Sequence, residues 1–150
     1  MDLSDEIVIN APRAKVYAAL NDPEVLRACI PGCEELIKHS DTELEAKVTL
    51  KVGPVKAKFS GSVTLSPDNP PQSFSLTGTG NGGVAGFAKG GATVELTEIP
   101  EGTLLRYTAK AEIGGKLAQL GSRLIQGTAT KLAASFFTSF AEVVNTAETA

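Results

Sequence analysis

Residues 103–145 read TLLRYTAKAEIGGKLAQLGSRLIQGTATKLAASFFTSFAEVVN, and the hydrophobic period changes once within this stretch. From 103 to 113 apolar and polar residues alternate, which is typical of a half-buried antiparallel strand. After Gly114 and Gly115, leucine and phenylalanine recur at steps of three and four residues over about 116–145, which predicts one long amphipathic helix. A helix of this length, rising about 1.5 Å per residue, can cross a whole sheet.

Upstream of this stretch the sequence predicts one strand, two short helices and further strands. Strand 1 covers residues 5–10, and Pro12 and Pro23 mark the first turns of the two helices. From residue 34 the period becomes two, and the chain alternates in this way as far as 113. We therefore predict an α+β helix-grip fold, in which a curved antiparallel sheet of about seven strands surrounds the C-terminal helix and two short helices follow strand 1.

The composition limits the class of protein. The chain has 150 residues, of which 42% are apolar and 21% charged, and we predict one domain over 1–150. A net charge of -3 argues against nucleic-acid binding, which needs a basic surface. The N-terminus lacks the charged start and apolar run of a signal peptide, and no apolar stretch reaches the roughly 20 residues of a membrane span. We expect a cytoplasmic protein.

The predicted inner face of the sheet carries small residues. Ala92, Ala109 and Ala111 lie on this face, and the chain contains no tryptophan. A curved sheet and one helix close everywhere only if bulky side chains fill the gap, so we expect an apolar cavity between them. A core closed by the same side chains remains the alternative. The predicted ligand-binding residues are Phe59, Phe74, Phe87, Tyr107, Ile113, Leu117, Leu120 and Leu124.

A glycine-rich segment, residues 78–86, joins two predicted strands. A dinucleotide-binding glycine motif follows a strand and opens a helix, so this segment does not fit one. Two interpretations stay open. The segment is either a hairpin loop without further role or a gate at the cavity mouth, formed by Gly82, Gly83, Val84 and Gly86.

No catalytic or metal site can be assembled from the sequence. His39 is the only histidine, and it has no nucleophile or orienting carboxylate assigned to it. Cys29 and Cys33 are too few soft ligands for zinc, so we interpret them as reduced thiols, and a redox role stays open. Four lysines on one predicted hairpin either solubilise the sheet or contact an anionic membrane or partner. They are Lys47, Lys51, Lys56 and Lys58.

Several short motifs together resemble one known family. They are Asn-Ala-Pro at 10–12, Ile-Pro-Gly-Cys-Glu at 30–34, Val-Gly-Pro-Val at 52–55, Gly-Gly-Lys-Leu-Ala at 114–118 and Phe-Phe at 136–137. With these motifs, nearly the whole chain resembles the CoxG family, the G subunit of carbon monoxide dehydrogenase, within the START-like (SRPBCC) helix-grip superfamily. Many members add a proline-rich linker and a C-terminal membrane segment. We expect no such anchor in this sequence.

The resemblance implies a non-enzymatic accessory protein. Its implied partners are a molybdenum hydroxylase or CO dehydrogenase complex and a lipophilic small molecule, with a role in membrane recruitment or maturation. No cofactor is implied other than a bound quinone or lipid, and contact with the membrane would be peripheral, at its inner face. Two alternatives stay open: a small-molecule enzyme of the cyclase or hydrolase type that uses the same cavity, and a pure protein–protein adaptor. The sequence does not identify the ligand, the partner enzyme or the oligomeric state.

Overall fold

The computed structural model describes the backbone of residues 1–149 and the side chains of residues 1–145. Its strands and helices follow the predicted order. They are β1 (Asp2–Ile9), α1 (Arg13–Leu20), α2 (Pro23–Cys29), β2 (Cys33–Lys38), β3 (Glu43–Val52), β4 (Val55–Asn69), β5 (Ser73–Asn81), β6 (Phe87–Ile99), β7 (Gly102–Gly114) and α3 (Ser122–Thr149). A 3₁₀ turn (Gly83–Ala85) and a 3₁₀ helix (Gly115–Leu120) complete the elements.

The strands form one antiparallel sheet of seven strands in the order β1-β7-β6-β5-β4-β3-β2. β1 and β2 are therefore the two edges, and α1 and α2 connect them. α3 packs against β1, β3 and α2, so the sheet curves around this helix. The predicted helix-grip architecture is confirmed.

The long helix begins later than the sequence pattern predicts. The pattern places its start near Lys116, but α3 begins at Ser122. Gly121 has a φ of +95°, a left-handed conformation that interrupts the right-handed helix. The preceding residues instead form the 3₁₀ helix, which carries Leu117 and Leu120.

One end of the inner face is filled by large side chains. Ile9, Leu105 and Phe140 have no exposed surface, and they join Val16 and Leu20 of α1 in one apolar cluster. We call this region the packed end. Thr103 is buried there as well, and its hydroxyl donates a hydrogen bond to the Ala11 carbonyl at 2.7 Å. This bond satisfies a polar group that would otherwise be costly to bury.

The other end of the inner face carries glycine and alanine on three neighbouring strands. Gly78 pairs with Gly90, which pairs with Ala111, and Gly80 pairs with Ala88. A Cβ atom added at Gly80 would have no heavy atom within 4 Å outside its own chain neighbours. We call this set the small-residue rows: Gly78, Gly80, Ala88, Gly90, Ala92, Ala109 and Ala111.

Candidate functional site

A half-open groove of about 690 Å³ lies between the edge strand β1 and α3. Because β1 ends the sheet, no further strand covers this side of the helix in the described part of the chain. The lining combines apolar and polar side chains and comes from three elements. It consists of Asp2, Leu3, Ser4, Asp5 and Ile7 of β1, Tyr107 of β7, and Gln126, Thr130, Ala133, Ala134, Phe137, Thr138 and Ala141 of α3.

Aromatic rings form part of the groove wall. The rings of Tyr107 and Phe137 are stacked, with centroids 5.2 Å apart and planes inclined by 20°. Phe137 also meets Phe136 edge-on at 4.9 Å, and Phe136 stacks on the fully buried Phe140 at 5.9 Å. This chain of contacts connects the groove to the packed end, so its wall is formed before any ligand binds.

Several polar side chains line the groove beside the apolar ones. The Gln126 side chain donates to the Asp2 carbonyl at 3.0 Å, and the Thr130 hydroxyl donates to the Gln126 carbonyl at 2.9 Å. Burial, and secondarily the negative charge of Asp5, raise the pKa of Tyr107. Its phenol therefore stays protonated at neutral pH and is available as a hydrogen-bond donor.

Of the eight residues predicted to bind a ligand, Tyr107 is the one that lines the groove. Phe74 belongs to the packed end, where its ring meets Tyr17 edge-on at 5.6 Å. Phe59 lies against Gly82, since a Cβ atom there would be 2.5 Å from the Phe59 ring. These aromatic side chains are thus distributed along the molecule and do not form one surface.

Phe87 does not face the gap between sheet and helix as expected. The uninterrupted register of β6 puts Ala88, Val94 and Leu96 on the inner face, so Phe87 lies on the outer face, 47% exposed. Its ring covers Gly114 of the neighbouring strand. The sequence pattern is ambiguous here because the strand begins directly after a glycine-rich turn.

The remaining predicted residues lie around the 3₁₀ helix and the start of α3. Leu117 is buried, whereas Ile113 and Leu120 are half-buried. Leu124 is 39% exposed and packs on the β3–β4 turn, where a Cβ atom on Gly53 would be 2.8 Å from it. None of these four lines the groove between β1 and α3.

The segment predicted as a gate is a hydrogen-bonded 3₁₀ turn. The Gly82 amide donates to the Gly86 carbonyl at 2.8 Å, and the Gly83 amide donates to the Asn81 side chain at 2.8 Å. Gly86 is buried against Gly115, and Val84 projects outward with 92% of its surface exposed. The turn contributes nothing to the lining of the β1–α3 groove. A gating role for this turn therefore stays a prediction. It would concern the end of the inner face that carries the small-residue rows and not the β1–α3 groove.

The thiols and the histidine are placed as structural or solvent-exposed groups. Burial raises the pKa of the Cys29 thiol and, more than the opposing influences of Glu35 and Arg27, that of Cys33. His39 is exposed and lies 3.2 Å from the Glu45 carboxylate. Among residues 1–145, no three histidine, cysteine, aspartate or glutamate side chains are arranged to hold a metal ion.

The four lysines of the predicted hairpin differ in whether they have acidic partners. Lys47 and Lys58 lie 3.6 and 3.8 Å from Glu35 and Glu34, so two of the four predicted lysines have acidic partners. Lys51 and Lys56 face each other beside the β3–β4 turn.

In the part of the chain that the structure describes, no helix is both long enough and apolar enough to cross a bilayer.

Comparisons with known proteins agree on fold and family. The sequence model of the CoxG family, described as the G subunit of carbon monoxide dehydrogenase, matches residues 6–145. A conserved protein from Geobacillus kaustophilus has a solved structure with a TM-score of 0.90 and 29% identity, covering 97% of this chain and 96% of that one. No functionally curated protein matches this sequence at a significant level.

More distant structures share the fold alone. A protein from Thermus thermophilus has a TM-score of 0.73 and 19% identity, covering 98% of this chain and 99% of that one. The Zhui aromatase/cyclase from a Streptomyces species has a TM-score of 0.67 and 9% identity, covering 97% and 93%. The fold therefore occurs in an enzyme as well, and it does not by itself decide between catalysis and binding.

Proposed function

The chain belongs to the CoxG family, the G subunit of carbon monoxide dehydrogenase, and we propose that it is a non-enzymatic accessory protein of a molybdenum-containing CO dehydrogenase-like enzyme. In this proposal it binds a quinone-like or lipid-like molecule and aids recruitment of the enzyme to the membrane or its maturation. The observation that carries the proposal is the groove between β1 and α3.

The size and lining of the groove support binding of a small lipophile. Its volume of about 690 Å³ falls within the range of about 300–1,000 Å³ that is typical of ligand pockets. Leu3, Ile7, Phe137 and three alanines supply an apolar surface, and Tyr107 supplies a hydrogen-bond donor. The arrangement suits a molecule with a long apolar part and one polar head.

Native mass spectrometry of the purified protein tests this proposal directly. We expect a co-purified lipophile, and we expect added menaquinone to raise the melting temperature, because a ligand that binds only the folded state stabilises it. Ala134→Phe should abolish the shift by filling the groove. Ala18→Phe, at an exposed position of α1 outside the groove, is the matched control and should retain it.

Two results would contradict ligand binding at this site. One is that no lipophile co-purifies and neither menaquinone nor 1-decanol changes the melting temperature. The other is that Ala134→Phe and Ala18→Phe respond to menaquinone equally, which would move the binding site elsewhere in the fold.

The charge distribution supports a peripheral membrane contact. Segments 46–60, 78–90 and 111–127 meet near the β3–β4 turn and contain one acidic residue, Glu112, which is 3.4 Å from Lys89. The same end exposes Val84, Phe87 and Leu124. Basic side chains around exposed apolar ones suit an anionic bilayer. The basic residues of these segments are Lys51, Lys56, Lys116 and Arg123, together with Lys47, Lys58 and Lys89, which pair with Glu35, Glu34 and Glu112.

Sedimentation with phosphatidylglycerol vesicles tests this contact. Lys51→Gln combined with Lys56→Gln should weaken binding about tenfold or more, because each lysine near an anionic surface contributes roughly 1 kcal/mol. Lys15→Gln combined with Lys131→Gln makes the same charge change away from this end and should have little effect. Equal loss in both double variants would indicate a response to net charge alone and would contradict a defined docking end.

An enzyme is the second candidate because Asp5 and Tyr107 place a carboxylate and a phenol in the same groove. Proton transfer by such a pair needs a group that titrates near the working pH. Titration of the carboxylates by NMR separates the candidates, since a groove carboxylate that titrates near neutral pH would favour catalysis. For a pure adaptor, Ala134→Phe would instead leave binding to the partner enzyme intact.

A further inference from the structure

We propose that the β1–α3 groove selects its ligand by the charge of the head group, binding lipophiles with a neutral or cationic head and rejecting those with a carboxylate or phosphate head. The inference rests on the proposed ligand-binding function and specifies the chemical class of the ligand. Its basis is the position of Asp5 within an otherwise apolar face.

Asp5 interrupts the apolar side of β1. Leu3, Asp5 and Ile7 occupy alternate positions of the strand and therefore share the inner face, and all three line the groove. One Asp5 carboxylate oxygen accepts a hydrogen bond from the Glu6 amide at 2.8 Å. The other oxygen has no hydrogen-bond partner among the described residues, so it is free to accept a bond from a ligand.

Tyr107 lies directly opposite Asp5 in the antiparallel register. Side chains at opposite positions have Cβ atoms about 4.5–5.5 Å apart and point to the same face. The phenol donates and the carboxylate accepts, so one ligand hydroxyl can interact with both. Its hydrogen bonds to Asp5 while its oxygen accepts from Tyr107.

No cation compensates the charge of Asp5 within the groove. Among the lining residues of the described chain there is no lysine, arginine or histidine, and Asp2 adds a second carboxylate. Arg106 and Lys110 flank Tyr107 on β7 but lie at alternate positions, on the outer face, where Arg106 pairs with Glu6 at 2.9 Å. An anionic head would therefore meet a like charge without a counter-ion, which disfavours its binding.

Three ligands with the same alkyl chain test this selection: 1-decanol, decylamine and decanoate. The affinity of each ligand is measured by its competition with the fluorescent probe N-phenyl-1-naphthylamine at pH 8, where the amine is protonated and the acid ionised. We expect Asp5→Asn to lower the ratio of alcohol to decanoate affinity about tenfold, because the like-charge repulsion from Asp5 is removed next to Tyr107. The same variant should weaken binding of decylamine by a similar factor.

Asp41→Asn is the matched control because it removes the same charge from the exposed β2–β3 turn. Asp41 is exposed like Asp5 but lies outside the groove. The variant should leave all three affinities within about twofold of the unmodified protein, since charges at a distance are screened. If Asp5→Asn and Asp41→Asn give the same affinity ratios, head-group selection by Asp5 is wrong while ligand binding stands. If none of the three ligands displaces the probe, the proposed function itself fails.

Discussion

The two ends of the inner sheet surface are built from different side chains. At the packed end, Ile9 and Leu105 are fully buried against α1 and the C-terminal part of α3. In the small-residue rows, glycine and alanine follow one another across β5, β6 and β7, and Gly80 has free space above it. One sheet thus combines a dense core with a thinly filled region. The difference indicates that the packed end contributes most to the stability of the fold, whereas the other end leaves free space at Gly80.

The largest expected effect comes from removing a large side chain at the packed end. Leu105→Ala should lower the free energy of unfolding by about 2–5 kcal/mol, because the site loses apolar burial and leaves a cavity. Ile113→Ala, on the same strand but half-buried beside the small-residue rows, should cost less than half as much. Denaturant unfolding of both variants measures the difference. Equal losses would contradict the division into two ends.

Two glycines of the small-residue rows test where this end of the sheet has free space. Gly90→Ala should lower the free energy of unfolding by about 1–3 kcal/mol, since the new Cβ atom would lie within 3 Å of the Lys110 carbonyl on β7. Gly80→Ala meets no such atom and should raise stability by about 0.5 kcal/mol, because alanine restricts the unfolded chain. Thermal melts of the two variants measure both effects. Destabilisation by Gly80→Ala would mean that this space is filled.

The fold could be predicted because its elements carry regular patterns. β7 alternates strictly over 105–113, and the phenylalanine positions of α3 recur at helical spacing, so both elements follow from local rules. The start of α3 could not be predicted from the same spacing. Leu117 and Leu120 continue the helical pattern, but the backbone conformation of Gly121 separates them from α3.

The groove was harder to predict because it forms where large side chains and a further strand are missing. Choosing ligand-binding residues by their apolar character favours large side chains, and most of these lie in the packed end or around the 3₁₀ helix. Ala134 and Thr138 line the groove because they are small, and their role becomes apparent only when β1 is known to be an edge strand. Asp5 was the available signal, since a carboxylate between Leu3 and Ile7 breaks the apolar alternation of strand 1.

The smallest expected effect concerns the pH dependence of stability. The pKa of Tyr107 is raised, first by burial and then by Asp5, so the folded protein keeps this phenol neutral at a pH where the unfolded chain has begun to ionise it. The free energy of unfolding should therefore fall as pH rises through about 10 towards the higher pKa of the folded state. Tyr107→Phe removes this contribution. The half-open groove keeps it to roughly 0.5 kcal/mol or less.

Denaturant unfolding at pH 8 and at about pH 10.5 measures the contribution of the Tyr107 phenol. The free energy of unfolding of Tyr107→Phe should fall less between these two pH values than that of the unmodified protein. Tyr17, whose pKa is raised by burial and by Asp68 at the other end of the sheet, is the matched position for comparison. Asp5→Asn should reduce the alkaline loss in the presence of Tyr107 and leave it unchanged in Tyr107→Phe. If Asp5→Asn has the same effect in both backgrounds, Asp5 does not act on the phenol, and the pairing on which head-group selection depends is absent.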